Sequence, residues 1–176
     1  THDEGIARVG SELQVVRSYR SVVHGDLHLD NILVVGKPGA EYPCVIDFEA
    51  THEGYVLKDF GRFVSSILLR TYSWSEAEIA MLIETLPPLL LDWGATFTAP
   101  DAPASAGKVF EVIAIARKGI LRSWQAGAVP GKTELIASLV ASLLPFARYP
   151  DTSPSAVTLC LQLSSRLVAL LAGEPR

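Results

Sequence analysis

The stretch that decides the fold is HGDLHLDN at residues 24–31, followed further along by VIDFE at residues 45–49. Two short apolar runs, 31–35 and 43–47, flank the Gly- and Pro-containing turn at 36–39. Such runs on either side of a turn predict a β-hairpin. Because a two-stranded ribbon returns the chain to its start, the second stretch is expected to end beside the first.

Three oxygen-bearing side chains in these stretches suggest a chemical function. Asp26 and Asn31 are five residues apart in a segment too short and too polar for a strand, so a loop can aim both at one point. The hairpin is expected to bring Asp47 back beside them. A carboxylate and an amide oxygen suit Mg²⁺, which keeps waters and substrate phosphates as its other ligands. A carboxylate that is free of metal can accept a hydroxyl proton.

This arrangement resembles the catalytic core of the aminoglycoside phosphotransferase and choline kinase family, relatives of the protein kinases, and it covers only their C-terminal lobe. The resemblance implies that Asp26 is the catalytic base that orients the acceptor hydroxyl. It also implies that Asn31 is a Mg²⁺ ligand and Asp47 the main Mg²⁺ ligand. Gly25, where protein kinases have Arg, and Glu49, where they have Gly, make the chain similar to the small-molecule kinases.

Three further residues receive supporting roles from the resemblance. His24 and His28 are expected to shape the catalytic loop, with direct substrate contact as an alternative for His28. Asp59 begins a DFG sequence that spells the protein-kinase metal motif, but it follows no predicted strand. The resemblance implies that Asp59 instead holds the catalytic loop by hydrogen bonds to its backbone. A plain helix cap is the alternative for Asp59.

The remainder of the chain is predicted to be helical. Apolar spacing and capping residues predict helices over 9–20, from 59 onward, and over 77–86, 106–125, 133–149 and 154–172, with a loop over 94–107. Pro87 and Pro88 are expected to kink or end the third of these helices. The predicted fold class is mostly α (α+β), a protein-kinase-like C-lobe. Five or six helices surround one small β-hairpin that carries the catalytic and metal loops, without a parallel sheet.

The length of 176 residues fits a single domain over 1–176. In it, residues 22–61 form the predicted catalytic segment and residues 62–176 the helical acceptor-side region. A kinase-like fold has a phosphate-covering loop and a nucleotide-binding Lys before the catalytic loop. Only 23 residues precede His24, so the N-terminal nucleotide lobe is expected to be absent and the isolated chain inactive.

Composition excludes several function classes. The net charge is −4, with 49% hydrophobic and 19% charged residues, which argues against a nucleic-acid binder and against a disordered chain. Cys44 and Cys160 are too far apart for a disulfide framework or a zinc pattern, and buried thiols are expected. No uninterrupted apolar stretch or signal peptide stands out. We therefore expect a cytoplasmic protein with neither a nucleic-acid nor a membrane partner.

The expected function is an ATP-dependent phosphotransferase that moves the γ-phosphate to a hydroxyl of a small molecule, with Mg²⁺ as cofactor. Its expected partners are ATP, the acceptor, and a missing N-terminal lobe or neighbouring domain. The acceptor stays open among aminoglycosides, choline-like alcohols, other sugars or amino alcohols, and protein hydroxyls. The alternative is a kinase-like binding or assembly module of a larger bacterial signalling or defence protein, with little or no catalysis. A ternary-complex-associated domain family has a similar core.

Overall fold

The structure, a computed structural model, describes residues 19–92, 103–123 and 131–173. Within these ranges it is mostly helical, with two small antiparallel sheets before five α-helices. The predicted α+β class with a predominance of helix is therefore confirmed. The helix expected over 9–20 lies outside the described residues, except for its last two positions, where Arg20 begins a strand.

The elements follow one another along the chain without long connections inside the described ranges. The strands are β1 (Arg20–Val23), β2 (Ile32–Val35), β3 (Tyr42–Val45) and β4 (His52–Tyr55). The helices are α1 (Lys58–Arg70), α2 (Glu76–Leu91), α3 (Ala104–Ser123), α4 (Lys132–Phe146) and α5 (Pro154–Ala172). Two 3₁₀ turns, Leu29–Asn31 and Phe48–Ala50, flank the β2–β3 hairpin.

The predicted hairpin is confirmed: β2 and β3 pair antiparallel, with Ile32 opposite Val45. The prediction that it is the single β element was wrong, because β1 and β4 form a second antiparallel pair with Val23 opposite His52. The sequence of β4, HEGY, is polar and contains glycine, so it gives no strand signal. This strand forms because it pairs with β1, which lies about thirty residues earlier in the chain, so local sequence does not reveal it.

Pro87 and Pro88 do not end the helix, one of the two effects expected of them, because α2 continues past both to Leu91. Pro87, Leu86 and Leu89 are buried in the core. Burial of this apolar turn offsets the missing backbone donors. At the other end, Ser75 and Glu78 form a capping box.

Two further boundaries differ from the predictions. Helix α3 begins at Ala104, inside the segment expected to be a loop over 94–107, of which 94–102 lies outside the described residues. Helix α4 ends at Phe146, three residues before the predicted end. The start of α5 is as predicted, since the Ser153 hydroxyl accepts the N–H of Ala156 and Pro154 is the first helical residue.

The core lies among the helices, and α1 crosses its centre against α4. An added Cβ at Gly61 would lie 2.6 Å from Ser142 Oγ, so these two helices approach closely. Trp74 is buried and donates its indole N–H to the carbonyl of Leu68. Cys160 is buried as expected, and Cys44 is half-buried. Trp93 and Trp124 lie outside the described residues.

Helix α5 is long and apolar enough to cross a membrane by length and composition. Its sequence holds no long uninterrupted apolar run, because serines and Arg166 are interspersed among its apolar residues. One face of α5, with Leu159, Leu163 and Leu167, is buried in the core. Helices buried in the core of a soluble protein can have the same length and apolar composition, so these two properties are weak evidence for a membrane span.

Candidate active site

The loop at residues 24–31 joins β1 to β2 and is anchored by helix α1. Asp59, in the first turn of α1, accepts the backbone N–H of His24 on Oδ2 at 2.7 Å and that of Gly25 on Oδ1 at 2.9 Å. These are the backbone contacts that the resemblance implied for this residue. The helix begins after Leu57 at its N-cap position, so Asp59 is not the helix cap.

Gly25 has no room for a side chain. Its φ is +89°, and an added Cβ would lie 2.1 Å from the carbonyl oxygen of Ala50. Only glycine adopts this conformation routinely and allows such a close approach. The loop therefore packs directly on the backbone of the 3₁₀ turn Phe48–Ala50, which follows Asp47.

His24 connects the loop to the end of the hairpin. Its ring is buried, lies 5.0 Å from the Phe48 ring, and places Nε2 2.8 Å from the carbonyl oxygen of Ile46. Because a carbonyl can only accept, Nε2 carries the proton. His24 thereby fixes the residue next to Asp47 relative to the loop.

Asn31 is buried at the end of the loop, and its amide nitrogen donates to the backbone oxygen of Asp26 at 3.0 Å. Since that partner is an acceptor, the amide oxygen is left for another ligand. The backbone oxygen of Asn31 accepts the N–H of Ile46 at 3.0 Å. Asp47 is the next residue, so the hairpin brings the two expected Mg²⁺ ligands to one end of the β2–β3 ladder.

Asp47 has a strained backbone. With φ 61° and ψ 68° it is the one non-glycine residue at positive φ in the described ranges. The left-handed conformation costs an ordinary residue about 1–2 kcal/mol, and Asp tolerates it better than most. Strain of this kind is commonly retained where it positions a functional group. The Asp47 side chain is exposed at this position.

Asp26 has a partner that the sequence reasoning missed. Arg62 of α1 donates Nη2 to Asp26 Oδ1 at 2.5 Å and Nε to the same oxygen at 3.1 Å. The other oxygen, Oδ2, lies 3.5 Å from His28 Nε2. Partial burial acts to raise the pKa of the Asp26 carboxyl, but the hydrogen bonds and charge of Arg62, helped by His28 and His24, hold that pKa below its ordinary value.

One face of α1 holds the whole loop. Asp59, Arg62, Ser66 and Arg70 follow one another at spacings of three and four residues, and each contacts residues 24–31. The Ser66 hydroxyl accepts the N–H of Leu29, and Arg70 Nη1 lies 2.7 Å from an Asp30 oxygen. This polar stripe was the sequence signal for Arg62: once Asp59 is assigned to the loop, the residue three positions later must face it.

The donor set suits a cation that brings other ligands with it. Among the residues that the structure describes, no group of three or more His, Cys, Asp or Glu side chains could hold a metal ion. Asp47 and Asn31 offer one carboxylate and one amide oxygen. Mg²⁺ is often bound by one or two carboxylates plus substrate phosphates and waters, so these residues fit Mg²⁺ carried by a nucleotide.

Two clefts border the stripe on α1. The larger, of about 740 Å³, lies between β4, α1 and α4 and is lined by Arg62, Lys58, Tyr55 and Glu134 among others. The smaller, of about 370 Å³, lies between the end of α1 and the α4–α5 connection and includes Tyr149. Burial raises the pKa of Glu134 more than the hydrogen bond from the Tyr19 N–H lowers it.

Comparison with known proteins gives one assignment. No curated protein and no solved structure matches the chain. The profile of a protein family described as Ternary complex associated domain 9 matches residues 7–142, which is more than half of the sequence and includes the loop, the hairpin and the stripe on α1. The chain therefore belongs to the ternary complex associated domain 9 family.

Proposed function

We propose that the chain is the C-terminal lobe of a kinase-like phosphotransferase, which transfers the γ-phosphate of ATP to a hydroxyl of a small molecule. The observation that carries the proposal is that short hydrogen bonds link Asn31 both to Asp26 and to Ile46, the residue next to Asp47. Asn31 bonds to Asp26 through its side chain and to Ile46 through its backbone. Asp59 and His24 brace the two backbone segments that carry these residues.

Each residue has a role in the proposed transfer. Asp47 and Asn31 would hold Mg²⁺ against the nucleotide phosphates, and the ion supplies charge neutralisation there. Asp26 orients the acceptor hydroxyl and takes its proton as the acceptor oxygen bonds to the γ-phosphorus and the bond to the β–γ bridging oxygen breaks. The barrier falls mainly by positioning, because the loop is rigidly held before substrate arrives.

The experiment is ATP turnover by the full-length protein with a panel of amino alcohols and sugars, followed by ADP release and acceptor phosphorylation. Asp26→Asn is expected to reduce the rate by about 10²–10⁴-fold, the usual contribution of a positioned base. Glu76→Gln, an exposed acid in the first turn of α2, is the matched control and should retain the wild-type rate. A wild-type rate in Asp26→Asn would refute the assignment.

A second candidate function is assembly within a multi-protein complex, which is what the family description names. The β2–β3 hairpin favours it, because the eight residues of its two strands are all apolar and both faces carry exposed side chains. Val34 is 75% exposed and Tyr42 60%. A ribbon with two apolar faces is expected to be covered on both sides.

The two functions are separated by ligand binding. A phosphotransferase should gain thermal stability in the presence of millimolar ATP and Mg²⁺, since a ligand that binds only the folded state raises its melting temperature. If the full-length protein gives neither a shift nor turnover, the assembly role stands alone.

A further inference from the structure

We infer that Arg62 is a positioning residue for the proposed phosphoryl transfer: it holds Oδ1 of Asp26 so that Oδ2 is presented to the acceptor hydroxyl. The inference rests on the proposed function. Its starting point is the contact geometry, because Nε and Nη2 of Arg62 both donate to one carboxylate oxygen, whereas the nearest partner of the other oxygen is His28 Nε2 at 3.5 Å.

The contact fixes the rotation of the carboxylate. Nε and Nη2 of a guanidinium are held in one rigid plane, so two hydrogen bonds to Oδ1 define where that oxygen lies. The backbone of Asp26 is fixed separately by the Asn31 amide, which donates to its carbonyl oxygen. With both the backbone and Oδ1 held, the position of Oδ2 follows.

The guanidinium is itself held in place. Its side chain is 18% exposed, and its central carbon lies 5.1 Å from the centre of the Phe146 ring, within cation–π distance. The nearby Tyr149 hydroxyl helps to raise the pKa of the guanidinium. Arg62 is therefore braced by Phe146 of α4 on one side while it holds Asp26 on the other.

The second carboxylate oxygen of Asp26 is the one that has no hydrogen bond from Arg62. Asp26 Oδ2 is 3.5 Å from His28 Nε2, longer than a normal hydrogen bond, and the side chain is 40% exposed. A carboxylate that accepts from Arg62 at one oxygen retains full capacity to accept at the other. The ion pair also keeps the group ionised, as a proton acceptor must be.

The test compares Arg62→Gln, Arg62→Lys and the control Arg166→Gln in the full-length protein. Arg166 is a partly buried arginine of α5 that lies 3.8 Å from Glu84, away from the loop. For Arg62→Gln we expect kcat to fall by up to about 100-fold, the effect of misplacing a reacting group, with KM for ATP unchanged. Because the variant loses the group that lowers the pKa of Asp26, the acid limb of the kcat–pH profile should move to higher pH.

The lysine variant separates charge from geometry. Lys keeps the positive charge but lacks the planar guanidinium. In Arg62→Lys the acid limb of the kcat–pH profile should therefore lie near its wild-type position, while kcat stays close to the low value of Arg62→Gln. Carbon-13 NMR titration of the Asp26 carboxyl gives a readout that needs no turnover: its midpoint should rise in Arg62→Gln and stay in place in Arg166→Gln.

The outcomes are distinguishable. If wild-type protein turns over and Arg62→Gln matches it in kcat and pH profile, the positioning role is refuted. A kcat higher than wild type also refutes it, because it would mean that Arg62 inhibits Asp26. An unmoved NMR midpoint in Arg62→Gln refutes the ion pair itself. If the midpoint moves but wild-type protein transfers no phosphate to any acceptor, the proposed function fails and the positioning role fails with it, while the ion pair stands.

Discussion

The carboxylate of Asp59 accepts the backbone N–H groups of His24 and Gly25, one on each oxygen. The first turn of a helix thereby holds a loop that lies more than thirty residues earlier in the chain. The negative charge is also favourable at this position, since a helix N-terminus carries a partial positive charge. The candidate site is built outward from this contact.

Replacing Asp59 should loosen the loop. Asp59→Ala leaves two part-buried backbone donors without their partner, and each unmade bond costs about 1–3 kcal/mol. Urea denaturation should show this loss as a lower free energy of unfolding. Glu76→Ala, which removes an exposed first-turn acid from α2, is the control and should change stability by less than about 0.5 kcal/mol. Equal effects in the two variants would mean that the Asp59 contacts contribute nothing.

Gly25 and Gly39 form a matched pair for testing the close approach in the loop. Their φ angles are +89° and +83°, but an added Cβ meets the Ala50 oxygen at Gly25 and nothing within 4 Å at Gly39. Gly39→Ala should cost about 1–2 kcal/mol for the left-handed backbone alone. Gly25→Ala should cost distinctly more, because the backbone of the 3₁₀ turn must move. Thermal melts of both variants measure the difference, and similar melting temperatures would contradict it.

Replacing Asp47 should affect protein stability and the binding of ATP with Mg²⁺ in opposite directions. Asp47→Gly removes the positive-φ strain, so the unliganded protein should be at least as stable as wild type in denaturant. It also removes the carboxylate, so the thermal shift produced by ATP and Mg²⁺ in wild-type protein should disappear. A variant that loses stability and keeps the shift would place the metal ligand elsewhere.

The Asp26–Arg62 pair predicts a pH dependence of stability. The pKa of Asp26 in the folded protein lies below its ordinary value of 3.8, so the pair stabilises the protein fully above pH 3.8 and loses this effect as pH falls through the folded pKa. The stability difference between wild type and Arg62→Gln should therefore be largest near neutral pH and shrink in acid. Because Asp26 is 40% exposed, the difference should be small. Urea midpoints across this range measure it, and a difference that grows in acid would contradict the sign.

Glu134 predicts a pH dependence of stability opposite in sign to that of the Asp26–Arg62 pair. Burial raises its folded pKa above the ordinary 4.5, so its charge costs stability above pH 4.5 and the cost disappears as pH falls below that value. Glu134→Gln keeps an oxygen that can accept the Tyr19 N–H and removes the charge. The variant should be more stable than wild type at neutral pH, with the gain lost in acid. Urea unfolding of the variant and of wild type, at neutral pH and below pH 4.5, measures this gain, and a gain that persists in acid would contradict the prediction.

Local patterns made the main elements predictable. The β-branched runs around the turn at 36–39 predicted the hairpin, and Ser153 with Pro154 predicted the start of α5. The same patterns failed for β4, whose polar residues become a strand by pairing with β1, and at Pro87, which burial keeps inside α2. Both failures have one cause, since tertiary contacts outweigh local propensity there.

The sequence by itself determined which residues can carry chemistry, because the spacing of Asp26, Asn31 and Asp47 around a hairpin is a local property of the chain. Only the tertiary structure decided how they are held. Arg62 reaches Asp26, and Asp59 reaches His24, across more than thirty residues. Spacing along α1 indicates which residues share a face, but the contacts themselves depend on how α1 packs against the loop. The rigidity of the candidate site, and the orientation of its central carboxylate, are therefore products of the fold.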